Sequence, residues 1–103
     1  MYIAMNRFRI RQGFEADFET IWRERETHLD EMKGFKGFHL LRGPKGEDGT
    51  VLYASHTVWE SEADFIAWTK SENFRAAHKN ANPRRELYAG PPQFEGFSSV
   101  EGI

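Results

Sequence analysis

The start of the chain alternates between two faces with a period of two, which is the spacing of a β-strand. One face is formed by every second position: Tyr2, Ala4, Asn6, Phe8 and Ile10. The opposite face combines Ile3 and Met5 with two arginines. The pattern predicts a strand over residues 2–10, in which a single amide, Asn6, stands on an otherwise apolar or aromatic face.

After Gly13 the spacing of large apolar residues changes to that of a helix. One stripe collects them at helical intervals: Phe14, Phe18, Ile21, Trp22, Leu29 and Met32. Acidic and basic residues cover the remaining surface, as in an amphipathic helix. The pattern predicts one long helix that runs to about Met32, with Gly34 and Gly37 marking its exit.

The middle of the chain has the pattern of a β-hairpin. Residues 38–42 form a short apolar run, and residues 51–59 are rich in strand-forming side chains. Between them, residues 43–49 contain three glycines and one proline, which favour a turn. We therefore expect two further strands joined by this turn.

Two short helices are expected next. Ser61 has the position of an N-cap, with Asp64 three residues later as an imperfect capping box, before a helix that carries Trp68. Ser71 restarts a second helix, which continues through Phe74 to His78. Asn82 and Pro83 are expected to stop it, followed by a polar loop over residues 80–93 and a last strand over residues 93–100.

The order β-α-β-β-α-β is that of an α+β, ferredoxin-like fold with a four-stranded antiparallel sheet. Both helices then cover one face of the sheet and leave the other face bare. Pairing two sheets across a two-fold axis covers such a face, so we expect a homodimer. At 103 residues, the whole of 1–103 is expected to form a single domain.

Composition narrows the possible functions. The net charge of −2 argues against nucleic acids and anionic membranes as partners. There is no cysteine, which removes disulfides, thiolate ligands and iron–sulfur clusters and fits a cytoplasmic protein. Aromatic residues make up 15% of the chain, more than a small core requires, so some are expected to line a ligand cavity or an interface.

Among the four histidines, His78 has the most suggestive surroundings. Phe74 lies one helical turn before it, and the neighbouring alanines leave steric room. A single imidazole among aromatic residues suits haem better than a hard cation. His28 is expected at the surface, whereas His39 and His56 are expected as core or interface residues.

The chain resembles the IsdG-type haem-degrading monooxygenases (haem oxygenases) of the antibiotic biosynthesis monooxygenase (ABM) superfamily. The resemblance covers nearly the whole length and is most specific in Trp-x-Ser-x-x-x-Phe-x-x-Trp-x-x-Ser-x-x-Phe-x-x-Ala-His. That pattern is met by Trp59, Ser61, Phe65, Trp68, Ser71, Phe74, Ala77 and His78.

The resemblance implies a dimeric α/β barrel that cleaves the haem macrocycle to an open, biliverdin-like tetrapyrrole and releases iron. His78 would then be the iron ligand, with Phe74 beside it in the haem site. Asn6 would donate a hydrogen bond to dioxygen on the opposite face of the ring, and Trp68 would press the ring out of plane. Electrons would come from a separate donor, since the chain has no flavin or nicotinamide motif.

Two other functions are compatible with the same fold. ABM proteins include cofactor-free monooxygenases of aromatic, polyketide-like substrates, which need no iron-binding histidine. A non-catalytic haem-binding protein would share most of the residues of a haem-degrading enzyme. His78 in its Phe-x-x-Ala-His setting favours haem over the first alternative, while the second stays open.

Overall fold

The fold is organised around one four-stranded antiparallel sheet. In the computed structural model the described residues are 1–25, 27–79 and 84–103, without the side chains of residues 77–79. The strands are β1 (Tyr2–Ile10), β2 (Phe35–Lys45), β3 (Val51–Trp59) and β4 (Gln93–Ser98), in the order β2-β3-β1-β4. The helices are α1 (Glu15–Glu24), α2 (Glu62–Thr69) and α3 (Glu72–Lys79). The predicted ferredoxin-like fold is confirmed.

The alternation predicted for β1 is confirmed. Tyr2, Ala4 and Ile10 are buried on the side of the sheet that the helices cover. The odd-numbered positions of β1 face the other side, as do the even-numbered positions of β3, to which they are paired. Asn6 therefore points toward the helices from the middle of the sheet.

The core consists of two clusters on this helical side. One groups Ile10, Phe18, Val51 and Tyr53 beneath α1. The other groups Tyr2, Ala4, Leu29 and Trp59, with aromatic residues of β2 and α2 packed against it. The fully buried Trp59 and Phe18 anchor the two clusters.

The prediction of one helix to Met32 is wrong, because α1 ends at Glu24. The apolar stripe belongs to two clusters rather than one: Phe18 packs in the first, whereas Leu29 packs against Tyr2 and Trp59 in the second. The chain becomes extended at Arg25, and His28 adopts a left-handed conformation with φ 55°. A short 3₁₀ turn, Leu29–Glu31, then buries Leu29 in the sheet-side core.

Strand β2 is longer than the predicted 38–42. It pairs with β3 from Phe35 to Lys45. The register shifts beside Gly37 and between Arg42 and Lys45, and these irregularities allow the turn-forming residues to stay within the strand. The connecting turn contracts to residues 46–50, where the backbone N–H of Gly46 donates to the carbonyl of Thr50 at 2.7 Å. Pairing with β3 therefore outweighs the local turn preference of these residues.

The predicted starts of α2 and α3 are confirmed. The Ser61 hydroxyl accepts a hydrogen bond from the backbone N–H of Asp64 at 3.2 Å, and Ser71 caps α3 through the N–H of Phe74 at 3.1 Å. The predicted stop at Asn82 and Pro83 lies outside the described residues. The two helices follow each other directly, so the chain turns sharply between Trp68 and Ser71.

The segment before β4 is more than the predicted polar loop. It contains a 3₁₀ turn, Arg85–Leu87, whose Leu87 is completely buried. Backbone hydrogen bonds tie it to the end of β1, from Arg11 to Leu87 at 2.8 Å and from Ala89 to Arg9 at 2.9 Å. The segment thereby fixes the start of β4 beside β1.

Strand β4 ends at Ser98 and lies close against β1 because of a glycine. Gly96 is paired with Ala4, and a Cβ atom at Gly96 would lie 1.9 Å from the hydroxyl of Tyr2. Phe94 and Phe97 point to opposite faces of the sheet, which explains their poor fit to an alternating pattern. Both remain about half exposed.

The face of the sheet that no described helix covers is partly apolar. It carries Ile3, Met5, Leu41, Leu52, Val58 and Phe97. Leu41 and Phe97 are exposed by 42% and 48%. Of the helices described, none is long and apolar enough to cross a membrane.

Candidate functional site

A cavity of about 250 Å³ lies between the sheet and the segments that cover its helical side. We call it the aromatic cavity. Strands β1, β3 and β4 form its floor, while α2, α3 and the extended chain after α1 form its walls. It brings together three of the four predicted site residues: Asn6, Trp68 and Phe74.

The floor of the aromatic cavity is polar. Asn6 is paired with Ser55 of β3, and both residues line the cavity together with Thr57. Thr57 is used structurally, because its hydroxyl donates to the carbonyl of Ala4 at 3.3 Å and accepts from the indole N–H of Trp59 at 3.0 Å. No described residue hydrogen-bonds the carboxamide of Asn6, which leaves it available to a ligand.

Aromatic rings form one wall. The ring of Trp68 lies 4.7 Å from that of Phe74 in an edge-to-face arrangement and 5.7 Å from that of Trp59. Phe65 extends the same group and packs against Tyr2. Trp59 is fully buried behind this wall and does not line the cavity.

Phe94 closes the floor on the β4 side, and the sequence analysis did not identify it. It is the partner of Asn6 in the β1–β4 ladder, and its ring stacks on Phe65 at 5.7 Å with an interplanar angle of 10°. With 52% of its surface exposed, it stands at the boundary between cavity and solvent. The register of β4 on β1 brings it there, and the sequence pattern held no signal for that register.

Arg25 is the second residue that the sequence analysis missed. Its guanidinium lies over the Trp22 ring, 4.3 Å from the centroid, and borders the cavity. Burial lowers the pKa of Arg25 below its usual value, while Tyr88 acts in the opposite direction. No described carboxylate lies within 4.0 Å of it. Because a helix to Met32 was expected, Arg25 was assigned to a solvated helix surface.

His78 lies in α3, one helical turn after Phe74. Its side chain lies outside the described part of the protein, so its role as a ligand stays a prediction. His39 and His56 are paired on the sheet face opposite the cavity, with ring centroids 6.3 Å apart. His28 lies at the surface, 3.2 Å from Glu31. None of these three described histidines lines the aromatic cavity.

Beside the cavity, Glu19 of α1 joins a hydrogen-bonded network on β2 and β3. Its carboxylate accepts from the Tyr53 hydroxyl at 2.5 Å and from Arg42 at 3.1 Å. The bond from Tyr53 lowers the pKa of Glu19. Burial, followed by the hydrogen bond to Glu19, raises the pKa of Tyr53 to about 12. The network joins α1 to the sheet.

The described side chains contain no cluster of three or more His, Cys, Asp or Glu that could hold a metal ion. Among the described residues, the aromatic cavity offers a ligand a wall of aromatic rings, the carboxamide of Asn6 and the guanidinium of Arg25 at the edge. This set suits a planar, largely apolar molecule with an anionic edge. Haem has this chemistry.

The chain is similar to known proteins over most of its length. Residues 1–80 match the family model described as antibiotic biosynthesis monooxygenase. A heme-degrading monooxygenase of Shouchella clausii is 36% identical over 94 residues, which are 87% of this chain and 82% of the relative. A staphylobilin-producing heme oxygenase of Staphylococcus haemolyticus is 34% identical over 83 residues, 78% and 75% of the two chains.

A solved structure of a related protein supports the same family. The heme degrader MhuD of Mycobacterium tuberculosis, crystallised with two hemes in its active site, superposes with a TM-score of 0.74 at 27% identity. That superposition covers 100% of this chain and 99% of MhuD. The sheet order, the matched residues 1–80 and these relatives establish that the chain belongs to the antibiotic biosynthesis monooxygenase family.

Proposed function

We propose that this protein is a haem-degrading monooxygenase, which opens the haem macrocycle with O₂ and external electrons and releases the iron. The observation that carries the proposal is the free carboxamide of Asn6, which faces the Trp68–Phe74 wall across the aromatic cavity. The named activities of relatives that are 34–36% identical support the same function.

Bound haem would supply the iron that activates O₂, and would itself be the molecule that is oxidised. The chain's own residues would position the haem and place a hydrogen-bond donor against it. His78 at the end of α3 would hold the iron, and Phe74 would pack beside it. Asn6 would donate a hydrogen bond from the sheet side of the ring, and Trp68 would press on the ring from the helical side.

Haem binding requires the aromatic cavity to widen. Its volume of about 250 Å³ is below the range of about 300–1,000 Å³ that is common for ligand pockets. Helix α2 contains no fully buried residue, whereas β1 and β3 carry most of the core. Elements with little buried surface move at the least cost, so we expect α2 and α3 to shift outward from a rigid sheet.

The guanidinium of Arg25 would meet the anionic edge of the ring. It is held in place by the Trp22 ring and has no described carboxylate to compete for it. A charge-assisted hydrogen bond from such a partly buried donor is stronger than one between neutral groups.

We further propose a homodimer that forms through the helix-free face of the sheet. The exposed Leu41 and Phe97 belong to an apolar area that a second copy would bury. Asn6 faces the opposite side of the sheet, so dimerisation would leave the aromatic cavity accessible. Electrons would come from a separate reductase or a small reductant.

A hemin titration followed by reduction tests the function. We expect a saturable Soret band at one haem per chain or more, then loss of that band and release of iron when a reductant and O₂ are added. Catalase is included, so that free peroxide does not destroy the haem. A titration that shows no saturable change in the Soret band would mean that the protein is not a haem enzyme. A protein that keeps the band under reduction is a haem-binding protein without the activity.

A further inference from the structure

A second cavity of about 610 Å³ opens beside the C-terminal end of β1, between α1 and the segment before β4. We call it the arginine groove. Its base is formed by Phe8, Ile21 and Tyr88, and its rim carries Arg11, Arg25 and Arg85. The chain as a whole has a net charge of −2, so three arginines around one groove are a local excess of positive charge.

These three arginines form no ion pair with any residue that the structure describes. No described carboxylate lies within 4.0 Å of Arg11, Arg25 or Arg85. The next residue, Arg84, behaves differently, since it lies 3.0 Å from Glu86 and 3.5 Å from Asp17. Acidic residues are therefore present nearby, but they neutralise Arg84 and leave the groove positive.

The base of the groove is apolar, and its two rings are tilted against each other by 51°. The rings of Phe8 and Tyr88 lie 6.2 Å apart, and both contact Phe18 in the core beneath. Tyr88 is fixed to the sheet by its bridge to Ile10. A compact inorganic anion would leave these rings in contact with water, whereas an organic anion with an apolar body would cover them.

The arginine groove is separate from the aromatic cavity. Of its arginines, only Arg25 also borders that cavity, while Arg11, Arg85 and Tyr88 do not. Phe8 points to the helical side of the sheet, so the groove lies away from the face proposed for dimerisation.

We propose that the arginine groove binds a free organic anion, with a carboxylate against Arg11 and Arg85 and an aromatic body between Phe8 and Tyr88. The proposal goes beyond haem degradation and does not depend on it. Guanidinium groups bind carboxylates through paired hydrogen bonds. Contact of the ligand's apolar body with the two rings adds buried area that a carboxylate alone cannot provide.

Calorimetric titration of the haem-free protein with 2-naphthoate tests this, with neutral 2-naphthalenemethanol as the matched ligand. We expect 2-naphthoate to bind about tenfold tighter or more, since each tenfold corresponds to one good charged contact. In the double variant Arg11→Gln/Arg85→Gln, the affinity for 2-naphthoate should fall by at least about tenfold. Arg75→Gln, which removes an exposed arginine on α3, should leave its affinity unchanged.

The controls separate this site from the haem site. Hemin affinity should be equal in the wild-type protein and the double variant, because neither altered residue lines the aromatic cavity. If hemin affinity falls together with 2-naphthoate affinity, the arginines serve the carboxylates of haem and a separate anion site is wrong. Equal binding of the neutral alcohol, or no binding of 2-naphthoate to the wild-type protein, also overturns the proposal.

Thermal melts establish that the double variant folds. Should it not fold, the salt dependence of the wild-type protein decides: 2-naphthoate binding through guanidinium groups must weaken as NaCl rises, while binding through apolar contact alone does not. Salt-independent affinity would overturn the proposal.

Discussion

Asn6 lies directly opposite Ser55 in the ladder between β1 and β3, and both residues line the aromatic cavity. Ser55 is 7% exposed and Asn6 is partly buried, so this polar pair belongs to the floor of the cavity. The two side chains line the cavity at neighbouring positions, and the carboxamide of Asn6 reaches further from the backbone than the hydroxyl of Ser55. Asn6 is therefore the residue to mutate first.

Asn6→Ala should bind hemin with nearly wild-type affinity and degrade it at least about tenfold more slowly, because a donor aimed at developing charge contributes most during reaction. Stability should change little, since the carboxamide has no described partner to lose. Single-turnover absorbance kinetics measure the rate. A wild-type rate in Asn6→Ala would show that the amide is structural.

Trp68→Phe should keep the aromatic wall largely packed, because swaps of similar shape usually cost under about 1.5 kcal/mol. If Trp68 distorts the ring, this variant should turn over haem more slowly at nearly unchanged melting temperature. Resonance Raman spectra report the ring shape directly. An unaltered ring shape with normal haem consumption would return Trp68 to a packing role.

Trp59→Phe provides the stability contrast to Trp68→Phe. Trp59 is fully buried and donates to the Thr57 hydroxyl, so the substitution leaves a cavity and an unpaired group. We expect a loss of about 1–3 kcal/mol in the free energy of unfolding. Denaturant titration of the two variants side by side separates packing from function.

His78→Ala should remain folded and lose most of its hemin affinity if His78 holds the iron. The control is His39→Ala, because His39 is exposed on the opposite face of the sheet. Soret titrations compare the two. Full hemin affinity in His78→Ala would contradict the assignment of the iron ligand.

The Tyr53–Glu19 bond predicts a specific alkaline instability. The pKa of Tyr53 is raised to about 12 in the folded protein, against about 10 for an unfolded tyrosine. The stability from this group is therefore complete below pH of about 10 and is lost as the pH rises toward 12. The melting temperatures of wild type and Tyr53→Phe should differ most near neutral pH and converge in strong alkali. A difference that does not shrink would contradict the coupling.

Phe97→Glu should convert the proposed dimer to a monomer, because it places a charge in the apolar helix-free face. Val100→Glu is the matched control, since Val100 is 65% exposed beyond the end of β4. Sedimentation velocity distinguishes the two states. A Phe97→Glu protein that sediments like the wild type would place the interface elsewhere.

Sequence periodicity predicted the strands of the sheet and the starts of α2 and α3, because each depends on neighbouring residues. The ends of segments depended on distant partners. Leu29 left the predicted helix because Tyr2 and Trp59 offered it a buried site. Leu87 was assigned to a polar loop, although it packs in the core and its carbonyl accepts from Arg11.

The residues of the candidate site also divide into those that local sequence predicts and those that depend on distant partners. Asn6, Trp68 and Phe74 were predicted from the alternation of β1 and a family resemblance, and the fold brings them to one cavity. Arg25 and Phe94 could not be predicted, since one depends on where α1 ends and the other on the register in which β4 pairs with β1.

The close approach of β4 to β1 limits which mutations the protein can accept. An alanine at Gly96 would collide with the Tyr2 hydroxyl, and Tyr2 is buried with its ring 5.5 Å from that of Phe65. The ring could yield only by disturbing Phe65, on which Phe94 stacks. A single methyl group at a position remote from any ligand would therefore reshape the entrance of the aromatic cavity, so natural variation at residue 96 should be confined to glycine.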